Sequence, residues 1–250
     1  MKATVAVIIL FFFFMKTSHS CEYITPYYVF YEDSVMAKNN LKDCEEKVLQ
    51  HDAHAQYVFG KVAYDINNAG SRNQTLYSQG NDWFMKSANQ GFSKAQYELG
   101  IASLEGLGTD RNIYKAIEWF EKSASKENKK AQYQLGLIYY EGKALKKDYN
   151  QSLKWFKLAA ANEHVEAQAY LADMYFIHEE IQDYYESFKW SVLLADKGFG
   201  RNQHLLAVMY NKGLGVRQDK KKAKFWFGKL CDNGDQDSCD NYRILNEGGY

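Results

Sequence analysis

The sequence predicts an all-α protein built from pairs of antiparallel helices that repeat along the chain. The first observation is the spacing of its five tryptophans, which follow one another at intervals of 36, 36, 35 and 36 residues. A nearly constant period of this length is typical of helical repeat arrays. The second observation is that the single proline, Pro26, lies outside the repeating region, as a nearly all-helical body requires. The tryptophans are Trp83, Trp119, Trp155, Trp190 and Trp226.

The first helix of each predicted pair, helix A, carries small and apolar residues at a spacing of four positions. The motif Ala-Gln-Tyr stands at 55–57, 95–97 and 131–133, with weaker copies at 167–169 and 202–204. Four positions after the leading residue comes an apolar residue, and a small residue follows it. Because an i, i+4 spacing places side chains on one helix face, this stripe predicts a buried face that a neighbouring helix approaches closely. The small residues are Gly60, Gly100, Gly136, Ala172 and Ala207.

The second helix of each pair, helix B, contains the tryptophan. The chain from Lys115 to Ala124 shows its pattern, with close copies from Ser152 to Ala160 and from Lys222 to Leu230. Glycines such as Gly106 and Gly213 precede helix B and predict the turn that ends helix A. Each repeat is therefore predicted to be two antiparallel helices.

Two of the predicted turns between helices A and B differ from the others. The first repeat has about four extra residues, which predict a longer loop around 69–71. The fourth repeat has lost one residue and its turn glycines at 177–180, so we expect its turn to be the least regular.

The combined pattern resembles a known family. Ala-x3-Leu-Gly-x2-Tyr-x2-Gly-x-Gly followed by Lys-Ala-x2-Trp-x3-Ala-Ala is similar to the Sel-one-like repeat, a relative of the tetratricopeptide repeat, over roughly residues 53–246. The resemblance implies an all-α, right-handed solenoid of five helix pairs that serves as a protein-binding scaffold. It does not identify the partner.

The repeat frame divides the chain into eight predicted parts. They are a signal peptide (1–20), an N-terminal cap (21–52), five repeats (53–91, 92–127, 128–163, 164–198 and 199–234) and a C-terminal capping helix (235–250).

The first twenty residues predict export. Lys2 gives a basic start, residues 3–15 are apolar, and Ser18 and Ser20 are small residues where a signal peptidase requires them. Thirteen apolar residues are too few to span a bilayer, which takes about 20. We therefore expect cleavage after Ser20, no membrane span, and a periplasmic or secreted protein that is a monomer.

The cysteines suit an oxidising compartment. An even count of four, at Cys21, Cys44, Cys231 and Cys239, predicts disulfide bonds. Cys231 and Cys239 lie at the facing ends of two antiparallel helices, and their spacing is similar to that in a cysteine-rich secreted branch of the family. Cys21 is predicted to pair with Cys44, and its lipidation is the alternative.

Charge and motifs favour a protein without catalytic function. The 31 basic and 31 acidic residues are mixed along the chain, so no basic face predicts nucleic-acid binding. His51 and His54 are spaced for one helix face but have no accompanying ligands, so we expect no metal and no cofactor. The resemblance to the cysteine-rich branch implies one alternative, a penicillin-binding or weakly β-lactamase-like enzyme.

By analogy with tetratricopeptide repeats, the positions of helix A that are not used for packing line a concave groove. They form a tyrosine-rich set with charges of both signs, which is typical of protein interfaces. The alternative is that several of these tyrosines pack between repeats. We expect the groove to bind a protein partner, in an adaptor, an immunity or inhibitor, or a host-interaction role. The residues are Tyr57, Tyr64, Lys94, Tyr97, Glu105, Lys130, Tyr133, Tyr140, Glu141, Asp173, Phe176, His204, Asn211 and Lys212.

Overall fold

The computed structural model describes residues 46–47, 50–68, 73–142 and 145–250, with residues 66–68 described in their backbone alone. The predicted signal peptide, the Cys21–Cys44 pair and the long loop at 69–71 lie outside the described residues, as does nearly all of the predicted N-terminal cap. Within the described ranges all regular structure is helical, with no strand. The α-helices are α1 (Ala53–Asn68), α2 (Gln74–Asn89), α3 (Ser93–Glu105), α4 (Ile113–Ala124), α5 (Lys129–Glu141), α6 (Tyr149–Ala161), α7 (Val165–Ile177), α8 (Tyr184–Ala195), α9 (Gly200–Lys212), α10 (Lys220–Asp232) and α11 (Gln236–Glu247).

The helices alternate as the repeat pattern predicts. The odd-numbered helices α1 to α9 carry the Ala-Gln motif, or Asn-Gln in α9, and the even-numbered helices α2 to α10 each carry one tryptophan. The chain divides into two compact units, one ending at Ala131 and the other beginning at Gln132. Consecutive helices pack against each other within each unit. The all-α, helix-pair fold class is confirmed.

Small residues in helix A create the space that an aromatic ring of helix B fills. A Cβ atom on Gly100 would lie 2.5 Å from Cδ1 of Phe120, and one on Gly136 would lie 2.5 Å from Cδ1 of Phe156. The close approach predicted from the small residues is therefore confirmed at these positions. In the fourth repeat Ala172 replaces the glycine, and the residue after the tryptophan is the small Ser191.

Every helix B begins at an asparagine or aspartate cap. The side chain of each cap residue accepts a hydrogen bond from a backbone N–H of the first turn, and such a cap stabilises a helix by about 1 kcal/mol. In four repeats the backbone N–H of the cap also donates to helix A, as Asp148 does to the Tyr139 carbonyl at 3.0 Å. The cap thus fixes both the start of helix B and its position against helix A. The caps are Asn73, Asn112, Asp148, Asp183 and Asp219.

The buried glutamine of the Ala-Gln motif links one repeat to the end of the preceding helix B. Gln96 donates to the Ala88 carbonyl at 3.1 Å, and Gln203 donates to the Ala195 carbonyl at 3.0 Å. The last carbonyls of a helix have no partner within the helix, so a buried side-chain donor satisfies them. The glutamine therefore has a structural role.

The last two helices are joined covalently. Cys231 at the end of α10 and Cys239 in α11 form the predicted disulfide, with their Cα atoms 4.5 Å apart. The fourth A–B turn is irregular, as predicted: α7 ends at Ile177, and a short 3-10 helix, Glu179–Ile181, takes the place of a glycine turn. None of the described helices is long and apolar enough to cross a membrane.

Candidate protein-binding surface

A cluster of aromatic rings occupies one face of α5, the start of α6 and α7 in the second unit. Tyr140 is central to it: its ring centroid lies 5.3 Å from that of Tyr170 and 5.8 Å from that of Tyr149. Tyr133, two helical turns before Tyr140, lies 6.0 Å from Tyr170. All four tyrosines are half-buried, so each residue is partly accessible to solvent.

Two histidines extend this cluster. His164 stacks on Tyr133 with centroids 4.4 Å apart, and His178 stacks on Tyr149 with centroids 4.0 Å apart. His164 Nδ1 also lies 3.2 Å from a carboxylate oxygen of Glu166. We define the aromatic–histidine surface as the six residues Tyr133, Tyr140, Tyr149, His164, Tyr170 and His178.

A buried core residue, Phe156, packs against the rings of the aromatic–histidine surface. Phe156 is fully buried, and its ring stacks on Tyr170 with centroids 4.9 Å apart and an interplanar angle of 18°. It also lies 5.7 Å from Tyr133. Since Phe156 reaches this place only because Gly136 has no side chain, the small residue of helix A determines where the surface rings lie.

The hydroxyls of Tyr133 and Tyr140 stay protonated at neutral pH. Burial, with smaller contributions from neighbours including Tyr170 and Glu166, raises the pKa of Tyr133 to about 12. Burial raises the pKa of Tyr140 as well. The rings therefore offer both apolar area and hydrogen-bond donors, the combination that favours tyrosine at protein interfaces.

The remaining predicted residues of α7 have local partners. Arg201 Nε donates to Asp173 with a shortest N–O distance of 2.8 Å, while burial raises the pKa of the Asp173 carboxyl against the opposing effect of Arg201. Phe176 lies edge-on to Tyr184 with centroids 5.5 Å apart.

The predicted residues of α9 do not join the aromatic–histidine surface by any ring contact. His204 Nδ1 lies 3.3 Å from the Ser238 hydroxyl oxygen. Asn211 closes the turn after its own helix, because its side-chain oxygen accepts from Lys220 and its carbonyl accepts from Gln218, both at 2.7 Å. Lys212 is exposed.

In the first unit, one predicted groove residue belongs to the core instead. Tyr64 is 4% exposed, and its hydroxyl donates to Asn81 Oδ1 at 2.6 Å. A Cβ on Gly80 would lie 2.8 Å from Cδ2 of Tyr64, so Gly80 in α2 opens the space that this ring fills. Tyr64 therefore belongs to the core and does not line the predicted groove.

The other predicted residues of the first unit are at least partly accessible. Tyr57 is half-buried, with its ring 5.3 Å from Phe92. Tyr97 is half-buried too, 5.8 Å from Phe120. Lys94, Glu105 and Lys130 in this unit and Glu141 in the other are exposed.

The family follows from comparison with known proteins. Residues 93–128, 129–164, 165–199 and 203–235 match the family model described as Sel1 repeat, and together they make up more than half of the chain. The chain belongs to the Sel1 repeat family. No curated protein matches it.

Two solved structures resemble this Sel1 repeat chain over most of its length. One is a protective antigen present in uropathogenic Escherichia coli strains and displaying an SLR fold, with 29% identity, a TM-score of 0.69 and coverage of 83% of this chain. The alignment covers 44% of that antigen, so the chain spans less than half of its length. The other is a Sel1 repeat protein from Oxalobacter formigenes, with 28% identity, a TM-score of 0.66 and coverage of 79% of this chain and 80% of that one.

Four residues of the aromatic–histidine surface are absent from the sequence-predicted groove: Tyr149, His164, Tyr170 and His178. Tyr170 sits three positions after the leading alanine, a position that the tetratricopeptide analogy assigns to packing. Tyr149 is the first residue of α6, and His178 directly follows the last residue of α7. Their clustering joins residues of different helices, and the repeat period of this Sel1 chain carries no signal for it.

The chain was expected to hold no catalytic motif, but it contains one Ser-x-x-Lys spacing, Ser123 to Lys126. Ser123 is fully buried and donates to the Ser93 carbonyl at 2.7 Å, while Lys126 donates to the Gly91 carbonyl at 2.6 Å. The pair is therefore structural. Among the described residues no group of three or more histidine, cysteine, aspartate or glutamate side chains could hold a metal ion.

Proposed function

We propose that this protein is an exported, non-enzymatic scaffold that binds a protein partner through the aromatic–histidine surface. The Sel1 repeat is an adaptor fold that binds proteins. The observation that carries the proposal is the contiguity of the six half-buried rings, in which the centroids of contacting rings lie 4.0 to 6.0 Å apart. Tyrosine clusters of this kind supply much of the binding energy at protein interfaces.

The surface is also suited to binding because it is ordered in advance. Tyr133 and Tyr149 are each stacked on a histidine, and Tyr170 is stacked on the buried Phe156. Association costs roughly 0.5–1.5 kcal/mol for each flexible side chain that it immobilises. Rings already restrained by stacking avoid much of this cost. Most of the area that a partner covers would then contribute to affinity.

Export is part of the same proposal. It is supported by the apolar segment at 3–15, by the Cys231–Cys239 disulfide, and by the likeness to an antigen of uropathogenic Escherichia coli. Adaptor, immunity or inhibitor, and host-interaction roles all fit an exported scaffold. The intact mass of protein recovered from the periplasm or medium tests export. It should lack residues 1–20. Protein found only inside the cell, with those residues retained, would contradict export.

Site-specific photo-crosslinking tests the binding surface directly. A photo-reactive phenylalanine analogue in place of Tyr140 should form a covalent adduct with the partner in the envelope or secreted fraction. The matched control carries the same analogue in place of Tyr114, which is 64% exposed and lies on α4. The proposal requires an adduct from position 140 and none from position 114. Adducts from position 114 alone would place the partner on helix B.

A further inference from the structure

One exposed phenylalanine occupies a position at which the other four repeats have a charged residue. The residue before the tryptophan is exposed in all five repeats. It is charged in the first four, as Asp82, Glu118, Lys154 and Lys189. In the fifth it is Phe225, whose side chain is 63% exposed. Because the other repeats show that this position faces solvent within the array, its exposure does not depend on where the chain ends.

The change at Phe225 is an inversion of two neighbouring residues. Leu153-Lys154 and Phe188-Lys189 place a half-buried apolar residue before an exposed lysine, whereas the fifth repeat reads Lys224-Phe225. The core of this repeat is complete without Phe225, since Phe227 is 1% exposed and Leu230 is 6% exposed. The Phe225 ring contacts the neighbouring Trp226, with centroids 5.3 Å apart, but its high exposure shows that the core of this repeat does not need an apolar side chain at position 225.

Phe225 lies on one wall of a groove between α10 and α11. Gly228 forms its floor: a Cβ there would lie 3.1 Å from the ring of Tyr242, so the missing side chain lets Tyr242 lie against α10. The groove has a volume of about 660 Å³. The Cys231–Cys239 disulfide joins its two helices and contributes Cys231 to its lining. Tyr242 is 37% exposed, which leaves two aromatic side chains accessible in the groove.

The charged residues of the groove are mainly basic. Lys221, Lys224 and Lys229 line it, with Asp232 as the one acidic lining residue. Within the described part of the chain neither Lys221 nor Lys229 forms an ion pair. Lys224 donates to Asn246 Oδ1 at 3.2 Å and to the main-chain oxygen of Tyr250. Three cationic groups beside exposed aromatic rings are complementary to a ligand that is both acidic and apolar.

We propose that this groove is a second interaction site, which binds an acidic, partly apolar segment of a protein partner. Carboxylates of the segment pair with Lys221 and Lys229, and an apolar side chain packs between Phe225 and Tyr242. A groove between two helices can enclose a single peptide side chain, whereas a bilayer presents a flat surface, so the shape of the groove favours a peptide.

Peptide binding measured by fluorescence anisotropy tests the proposal on the whole protein. The probes are labelled twelve-residue peptides that alternate glutamate with leucine or phenylalanine, and matched peptides in which lysine replaces every glutamate. We expect the acidic set to bind at least tenfold more tightly, and more weakly as the salt concentration rises. Phe225→Ser, which removes the ring without adding a charge, should weaken binding at least tenfold, as should Lys221→Glu with Lys229→Glu. Lys154→Ala at the equivalent position of α6 should have no effect.

Amide chemical shifts locate the peptide and separate this site from the aromatic–histidine surface. Shifts confined to α10 and α11 are expected. No binding by the acidic set, equal binding by both peptide sets, or shifts centred on Tyr133 and Tyr140 would each overturn the proposal. Vesicles of anionic phospholipid test whether the groove binds a membrane. Binding to vesicles that requires Phe225, without binding to acidic peptides, would identify a membrane site instead.

Discussion

Gly136 and Phe156 form the contact on which both the fold and the aromatic–histidine surface depend. A Cβ atom on Gly136 would lie 2.5 Å from Cδ1 and 2.6 Å from Cε1 of Phe156, so the ring rests directly on the backbone of α5. The same ring stacks on Tyr170, with centroids 4.9 Å apart. A change at this contact should therefore alter stability and binding together.

Substituting Gly136 with alanine should destabilise the protein by about 1–3 kcal/mol, because the added methyl group displaces the Phe156 ring. Alanine is otherwise the better helix former by about 1 kcal/mol, so any loss of stability reports the steric clash. Urea unfolding measures the change. Gly200→Ala is the control, since its nearest contact would be an ordinary 3.6 Å to Leu230. Equal effects of the two changes would contradict this account.

Removing the cap of α6 should cost about 0.5–2 kcal/mol. In Asp148→Ala the Gln151 N–H loses the side-chain oxygen that it reaches at 2.9 Å. The backbone bond from residue 148 to the Tyr139 carbonyl should survive, so the helix pair should remain formed. Thermal unfolding followed by circular dichroism measures the cost. Asp110→Ala, at an exposed aspartate outside the helices, should change the midpoint by no more than experimental error.

Reducing the Cys231–Cys239 disulfide should loosen α11 before the rest of the second unit. The bond joins two cysteines with a sequence separation of 8. The chain-entropy model assigns a disulfide that closes such a loop about 2.5 kcal/mol of stability. Hydrogen exchange of the α11 amides should therefore become faster in Cys231→Ser with Cys239→Ser, while the α6 amides stay protected. Uniform acceleration across both helices would mean that the bond stabilises the whole unit.

The stacked pair His178 and Tyr149 should make stability depend on pH. Burial lowers the pKa of His178 below its usual 6.5, and Lys147 lowers it further against the opposing charge of Glu180. The unfolded chain then binds a proton more readily than the folded chain does, so stability is greatest above pH 6.5 and falls as the pH drops towards the folded pKa. Urea midpoints at pH 7.5 and 5.5 should differ more for the wild type than for His178→Phe. An equal difference in both would show that other groups cause the pH dependence.

The periodic parts of the fold could be predicted from the sequence, and the contacts between repeats could be predicted less well. Trp119, Phe120 and Gly100 recur in register, so one copy explains the others. Tyr64 belongs to the core instead of the predicted groove because its ring fills the space that Gly80 leaves open. The other repeats have alanine or serine at this position of helix B, so the repeat pattern does not predict this contact. The cap residues recur at nearly the same period as the tryptophans, yet they were overlooked because an isolated aspartate before a helix resembles any turn residue.

The candidate surface illustrates the same limit. Tyr133 and Tyr140 were predicted because they recur on helix A. His164 and His178 are not among the residues predicted to line the groove. Their stacking on tyrosines of other helices is a tertiary relationship, which the spacing along one helix does not encode.

The affinity of the partner for a double variant tests the central claim most directly. Once photo-crosslinking has identified the partner, Tyr133→Ala with Tyr140→Ala should weaken binding by at least about 2 kcal/mol, roughly 30-fold in Kd. The control, Glu118→Ala with Lys154→Ala, changes two exposed residues of helix B and should leave Kd unchanged. Unaltered affinity in the tyrosine variant, or equal loss in both variants at unchanged unfolding midpoints, would contradict binding through the aromatic–histidine surface.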